Sequence, residues 1–213
     1  MIDLYSFSTN NARRVNIVLA ESGLKFHAHT INIYKGEQHA AKYLKINPLG
    51  AVPAIIDRDA AGGTPLLLTQ SGAICLYIAD KVGKFLPRNK RKRAVALQWF
   101  THAITDVSGY NWASVHVTRV PKVIKANTDF FEERLFKQFA YCNDRLGEEE
   151  YLAGDLSLAD FALYPPVLLR APLIEAYGGL EHLSRWAATM AKRPGVKRGI
   201  ELYPSRFDTN TKG

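Results

Sequence analysis

The sequence predicts an α/β domain followed by an all-helical domain. Strand and helix patterns alternate from Ile2 to Gly83, and strand patterns then almost vanish. The change falls at a short linker, Lys84 to Asn89. Beyond it, Lys92 to Ala113 and Lys122 to Leu146 carry apolar residues at the spacing of long amphipathic helices. With 213 residues, the chain can hold one large core or two small ones.

The elements follow in order. Ile2 to Tyr5 reads as a short buried strand, and Ser6 to Asn11 as a polar connection. A helix is expected from about Ala12 to Ser22, because Val15, Val18 and Leu19 share one face. Gly23 stands where a left-handed residue closes a helix. Phe26 to Ile33 reads as a second strand. His39 to Ile46 is a short helix stopped by Asn47-Pro48, since proline cannot continue one. Val52 to Ile56 and Leu66 to Thr69 form a hairpin across the turn-rich loop Asp57 to Gly63. Ser71 is placed to cap a helix running to Val82, with Gly83 just past its end. The resulting β-α-β-α-β-β-α order is that of a thioredoxin-like domain, a mixed sheet between helices.

In the helical half, Ser157-Leu158-Ala159-Asp160 is a capping-box variant that opens a helix. Pro165-Pro166 inside that helix predicts a kink or an early break, because each proline removes a donor. Leu180 to Lys192 reads as another helix, closed before Pro194-Gly195, and Val196 to Leu202 as a last short one.

Composition narrows the function classes. Hydrophobic residues are 47% and charged residues 23%, which fits a folded globular chain and not a disordered one. No apolar run reaches the ~18 residues of a membrane helix. Met1 to Tyr5 has neither the basic nor the apolar region of a secretory signal. The two cysteines, Cys75 and Cys142, form no CxxC, so a disulfide framework is not expected and a cytoplasmic setting is. Cys75, inside the helix after Ser71, reads as a small core residue. A net charge of +8 suits an anionic partner, which can be nucleic acid, membrane or a small anion. The densest basic run, Arg88 and Lys90 to Arg93, lacks the interleaved aromatics of a single-strand groove and reads as solvated surface. His27 and His29 alternate on one strand face, but no further ligand stands at metal-site spacing, so no metal is expected.

Three segments carry candidate chemistry, each beside a plainer reading. Pro53 at a strand entrance has no N–H for the ladder. It is either an ordinary trans edge proline, which the rarity of cis bonds favours, or a cis bond that turns the Val52 backbone toward an extended peptide ligand. Gln70-Ser71 is either a plain cap or an anion site at a helix mouth, where Ser71 donates to a carboxylate and Gln70 bonds an amino group or amide. Ser8-Thr9-Asn10-Asn11 is either capping chemistry or a set of donors that stabilises a thiolate, whose ordinary pKa is ~8.5. Arg13 and Arg14 then add positive potential or solvated surface.

The order of these segments makes the chain similar to the cytosolic glutathione transferases over essentially its whole length. The resemblance rests on Asn47-Pro48, Val52-Pro53 and Gln70-Ser71-Gly72-Ala73-Ile74, on Gly154 through Ser157-Leu158-Ala159-Asp160, and on Arg193-Pro194-Gly195-Val196. Within that superfamily the chain most resembles the bacterial nu-class, disulfide-reducing group. Ile2-Asp3-Leu4-Tyr5, Thr9, Asn11, Lys35-Gly36 with Gln38, and Leu97-Gln98-Trp99 carry that likeness. Thr9-Asn10-Asn11-Ala12 departs from the group's usual Thr-Pro-Asn-Gly, which leaves Ser8 as a rival to Thr9 and Asn11 beside the sulfur.

The resemblance implies a thioredoxin-like domain over 1–83, a linker at 84–89 and an all-helical domain over 90–213. It implies glutathione as co-substrate. Val52, with Pro53, would pair by backbone with its cysteinyl unit, Gln70 and Ser71 would hold the γ-glutamyl end, and Gln38 would reach the glycyl end. Ser8, Thr9 and Asn11 would activate the thiol. Tyr110, Trp112 and His116 would line a second-substrate pocket between the domains, their other reading being helix packing. The implied activities are disulfide or peroxide reduction and detoxifying transfer to electrophiles, by a homodimer that binds neither nucleic acid nor membrane. Non-catalytic binding or regulatory modules of the same superfamily are the alternative.

Overall fold

A computed structural model describes residues 1–203. The chain forms two units, Met1–Gly83 joined by the described residues from Arg193 on, and Lys84–Lys192. The C-terminal helix, α10 (Pro194–Glu201), therefore belongs with the first unit and not with an all-helical domain over 90–213. Its attachment is a partly buried ion pair. Glu21 accepts from Arg193 Nη2 at 2.7 Å and Nε at 3.2 Å, and from the Val196 N–H at 3.1 Å. Gly199 lets α10 approach closely, since a Cβ there would stand 2.6 Å from the Ile17 backbone.

In the first unit, β1 (Ile2–Ser6), β2 (Phe26–Thr30), β3 (Ala54–Asp57) and β4 (Leu66–Thr69) make one sheet in the order β2-β1-β3-β4. β1 runs parallel to β2 and antiparallel to β3, and β4 is antiparallel to β3. Side chains alternate between the faces. Ile2, Leu4 and Ser6 point one way, and Ser6 Oγ meets Asn16 Oδ1 of α1 (Asn10–Ser22) at 2.7 Å. Asp3 and Tyr5 point the other way, where Tyr5 meets Tyr43 of the short helix α2 (Ala41–Leu44). Val15, Val18, Leu19, Ile55, Ile74 and Ile78 are fully buried in the core of this unit. α1 ends at Gly23 and α3 (Ser71–Val82) at Gly83, both in the left-handed region.

β2 is shorter than expected. The chain leaves it at Thr30 for a 3-10 turn, Ile33–Lys35, where Asn32 Oδ1 accepts from the N–H groups of Tyr34 and Lys35. Ser71 is the first residue of α3, not its cap. Gln70 holds the cap position at φ 68° and its side chain makes no capping bond.

In the second unit, α4 (Lys90–His102) passes through a π-helical stretch, Ala103–Val107, into α5 (Ser108–His116), and α6 is Lys125–Glu148. α7 (Leu158–Leu169) is followed by α8 (Ala171–Tyr177) and α9 (Glu181–Ala191). The capping box at α7 is anchored by Asp160, which is fully buried. It accepts from the N–H groups of Ser157 at 2.9 Å and Leu152 at 3.2 Å, and from Trp186 Nε1 at 3.0 Å. Burial pushes the Asp160 carboxyl up to about 6 against those donors.

α7 runs through Pro165 and Pro166 to Leu169, so the expected early break does not occur at them. Leu158 to Val167 are all buried, and packing of that kind outweighs the hydrogen bonds that two prolines remove. The stretch expected as a linker is also packed within this unit. Phe85 meets Phe161 edge-on at 5.0 Å, and its C=O accepts from the Leu158 N–H at 3.0 Å.

Candidate functional site

One end of the four-stranded sheet gathers the first unit's candidate residues. β1 leaves the sheet at Ser6 and leads to Ser8 and Thr9. The β1–β3 register pairs Tyr5 with Ala54, which sets Val52-Pro53 beside that exit. The β3–β4 register pairs Ala54 with Thr69, which brings Gln70-Ser71 beside Val52-Pro53. The Gln38 segment is tied in at Gly50, where a Cβ would stand 3.2 Å from the Gln38 C=O. Segments spread over some sixty residues thus meet because the strand register demands it.

The Val52-Pro53 bond is cis, not the trans form that Pro53 alone favours. Tyr43 Oη and Asn47 Nδ2 both donate to the Ala51 C=O, at 2.7 and 2.6 Å, and fix the approach to this bond. Gln38 is half-buried, and among the described residues its Oε1 meets no hydrogen-bond donor.

At the mouth of α3 the first backbone N–H groups have no intrahelical acceptor, and the helix dipole adds positive potential. Gln70 leaves them uncapped. Ser71 is buried, and Arg14 Nη1 donates to its Oγ at 3.4 Å. Arg14 is only 2% exposed, so the surface reading of this arginine is corrected. Burial pulls its pKa down to about 10, and it remains a cation near neutral pH. Its helical spacing to Val18, four residues on, was the signal for a buried position.

In the loop after β1, Thr9 caps α1 by accepting from the Ala12 N–H at 3.1 Å. Ser8 Oγ accepts from Arg13 Nη2 at 3.0 Å. Each hydroxyl accepts here and retains its own O–H to donate. Asn11 is exposed on the first turn of α1. Cys75 and Cys142 are buried. Burial pushes the Cys75 thiol up to about 12 and the Cys142 thiol up as well, so neither supplies a thiolate near neutral pH.

The other three candidates lie on α5 of the second unit. Trp112 is exposed and stacks on His116 at 3.9 Å, and His116 Nδ1 lies 2.8 Å from the Trp112 C=O. Tyr110 is half-buried on the same helix. No helix of the described residues is long and apolar enough to cross a membrane.

Comparison with known proteins matches two family models, "Glutathione S-transferase, N-terminal domain" over residues 1–80 and "Glutathione S-transferase, C-terminal domain" over residues 116–194. The disulfide-bond oxidoreductase YfcG of Escherichia coli is 33% identical over 168 residues, covering 78% of each chain. The disulfide-bond oxidoreductase YghU of the same organism is 29% identical over 215 residues, covering 93% of this chain and 73% of that one. A glutathione transferase from Burkholderia graminis, solved with two glutathione molecules bound per subunit, superposes with a TM-score of 0.88. It is 29% identical, and the match covers 96% of this chain and 89% of that one.

Proposed function

This chain belongs to the glutathione S-transferase family, and we propose that it binds glutathione at the sheet end and reduces disulfides with the bound thiolate. The convergence of Ser8-Thr9, Val52-Pro53 and Gln70-Ser71 carries this reading. Glutathione is an extended peptide with a carboxylate at each end and a thiol between. The free N–H groups of α3, Ser71 Oγ and the buried Arg14 cation fit the γ-glutamyl carboxylate, with Gln70 near its amino group. The Val52 backbone meets the cysteinyl unit, and Gln38 reaches the glycyl end. The Ser8 and Thr9 hydroxyls, with Asn11, stabilise the thiolate and lower its pKa from ~8.5.

With no protein thiolate available, the attacking sulfur is glutathione's own. It attacks one sulfur of the disulfide, the S–S bond breaks, and the leaving thiolate takes a proton. A second glutathione then attacks the mixed disulfide, giving glutathione disulfide and a second free thiol. Two glutathiones lose two electrons, and the disulfide gains them. The E. coli relatives' oxidoreductase names and the two glutathiones in the Burkholderia enzyme support a disulfide as the second substrate. Peroxides and electrophiles would meet the same thiolate. The exposed Trp112–His116 stack is the candidate surface for the second substrate, and a homodimer is the expected form.

The test is retention on glutathione resin, followed by turnover of a model disulfide, a hydroperoxide and an aryl halide. Retention with the disulfide turned over fastest is expected. Failure to bind the resin, together with no calorimetric binding, overturns the proposal. Binding without turnover of any of the three makes the chain a glutathione-binding module.

A further inference from the structure

A second cluster lies along β1 and β2, on the sheet face away from α1. The parallel register pairs Asp3 with His27 and Tyr5 with His29. Asp3 thereby joins the two alternating histidines, and the expectation that they lack a third ligand is corrected. His29 Nε2 lies 3.2 Å from Asp3 Oδ1, and His27 Nδ1 lies 4.0 Å from the same oxygen. One potential ligand atom from each residue falls within 4.8 Å of the others.

The two oxygens of Asp3 have different work. Arg58 Nε and Nη2 both hold Oδ2, at 2.8 and 2.7 Å. Oδ1 faces the imidazoles. A hydrogen bond uses one of them, since 4.0 Å is too long for the other. A cation uses all three groups at once. The His29 ring is already held, stacked on Tyr5 at 4.5 Å, while Tyr203 Oη donates to the His29 C=O at 3.3 Å. His27 is 67% exposed and meets the His29 ring edge-on at 4.5 Å, so rotation of its ring can turn a nitrogen inward. Closing to Zn–N of about 2.0–2.1 Å and Zn–O of about 2.0–2.2 Å then requires mainly that rotation.

We propose that Asp3, His27 and His29 form a binding site for a divalent transition cation of the zinc class. Two imidazoles and one carboxylate select zinc, cobalt, nickel or copper over magnesium and calcium, which prefer all-oxygen sites. Three protein ligands leave a fourth position for water. Arg58 orients the carboxylate from behind, as an outer-shell partner does, and its charge weakens the hold on the cation. Asp3 stands three residues before Ser6, where β1 leaves for Ser8, about 10 Å along the strand at ~3.3 Å per residue.

The experiment titrates untagged full-length protein with Zn²⁺ against a chromophoric chelator, without glutathione, whose thiol binds zinc. Co²⁺ serves as the spectroscopic probe and Mg²⁺ as the control. One Zn²⁺ per chain is expected, with a visible Co²⁺ ligand-field band that Zn²⁺ abolishes and no response to Mg²⁺. His27→Asn, at an exposed position, should weaken Zn²⁺ binding at least about tenfold, and His27→Asn with His29→Asn should abolish the Co²⁺ band. Circular dichroism confirms that the variants fold. Equal Zn²⁺ affinity in the wild type and the double variant overturns the proposal, as does failure of the wild type to compete with the chelator.

Discussion

The two ends of the sheet are built on opposite plans. At the Ser8, Val52 and Ser71 end, the polar groups are mostly donors: two hydroxyls, the N–H groups that open α3, and the buried Arg14 cation. At the other end, charges answer one another within the protein. Asp57, opposite Ile2 in the β1–β3 register, is fully buried. It accepts from Lys81 Nζ and Tyr77 Oη, both at 2.6 Å. Asp3 is held by Arg58 at Oδ2 in the same way, and its Oδ1 meets His29 Nε2 at 3.2 Å. An end whose hydroxyls and α3 N–H groups still have hydrogens to give suits an anion. An end whose charges are paired gains little from an anion and holds the fold instead. Damage to the first should cost binding, and damage to the second should cost stability.

The largest effect expected is therefore at Asp57. Asp57→Ala leaves Tyr77 without its acceptor and Lys81 with the Asp59 C=O. It should cost about 3 kcal/mol of unfolding free energy, the lower end for breaking a buried pair because Lys81 keeps that bond and can turn to water. A shift of the denaturant midpoint checks this, and glutathione affinity of the folded fraction should not change. The same group predicts a pH effect. Burial raises the Asp57 pKa, but the bonds from Lys81 and Tyr77 outweigh it and hold the pKa below 3.8. A depressed carboxylate pKa gives stability that is fully present above the ordinary value and is lost as pH falls through the folded value. Wild type should lose stability below about pH 4 more steeply than Asp57→Ala. Parallel pH curves for the two would remove Asp57 from the closed end.

Ser71 tests the open end. In the proposed site Ser71→Ala would remove a charge-assisted hydrogen bond worth about 2 kcal/mol, so glutathione should bind roughly thirtyfold more weakly. The melting temperature should move much less than in Asp57→Ala. Calorimetric titration reads the first and thermal unfolding the second. Unchanged affinity would leave the α3 backbone alone as the anchor, and a large loss of stability would mean that Ser71 serves mainly to answer Arg14.

How much of this was legible in sequence depended on how local each signal was. β4 at Leu66–Thr69, the end of α3 at Val82–Gly83 and the capping box at Ser157–Asp160 are written in adjacent residues, and the structure has them there. The pairing of Val52-Pro53 with Gln70-Ser71 followed from hairpin order, because a hairpin is itself local. Arg193 was misplaced because its partner, Glu21, is 172 residues away. Asp3 was missed as a neighbour of His27 because a parallel pairing leaves no mark in spacing along one strand. Ser71 was expected to cap α3 because serine favours that position, yet Gln70 holds it at positive φ while Arg14 reaches Ser71 from another helix. Pro165-Pro166 argue for a kink or an early break, and buried packing along α7 overrides the break.

Thr9 separates the two plans within a single side chain, with the smallest effect. Its oxygen caps α1 and so serves the fold, whereas in the proposed site its hydrogen would be offered to the thiolate and so serve the ligand. Thr9→Ala removes both and should cost about 1 kcal/mol of stability through the lost cap. It should also raise the pKa of the bound thiol and move the activity profile to higher pH, since the thiolate loses a donor. Thr9→Asp keeps a capping acceptor and removes the donor, so stability should return while the thiol pKa stays high. Thiolate absorbance against pH reads the second effect, and thermal unfolding reads the first. If both variants titrate as the wild type does, Thr9 belongs wholly to the fold. Ser8, held from behind by Arg13, then becomes the thiolate's donor, and Ser8→Ala should produce the shift that Thr9 did not.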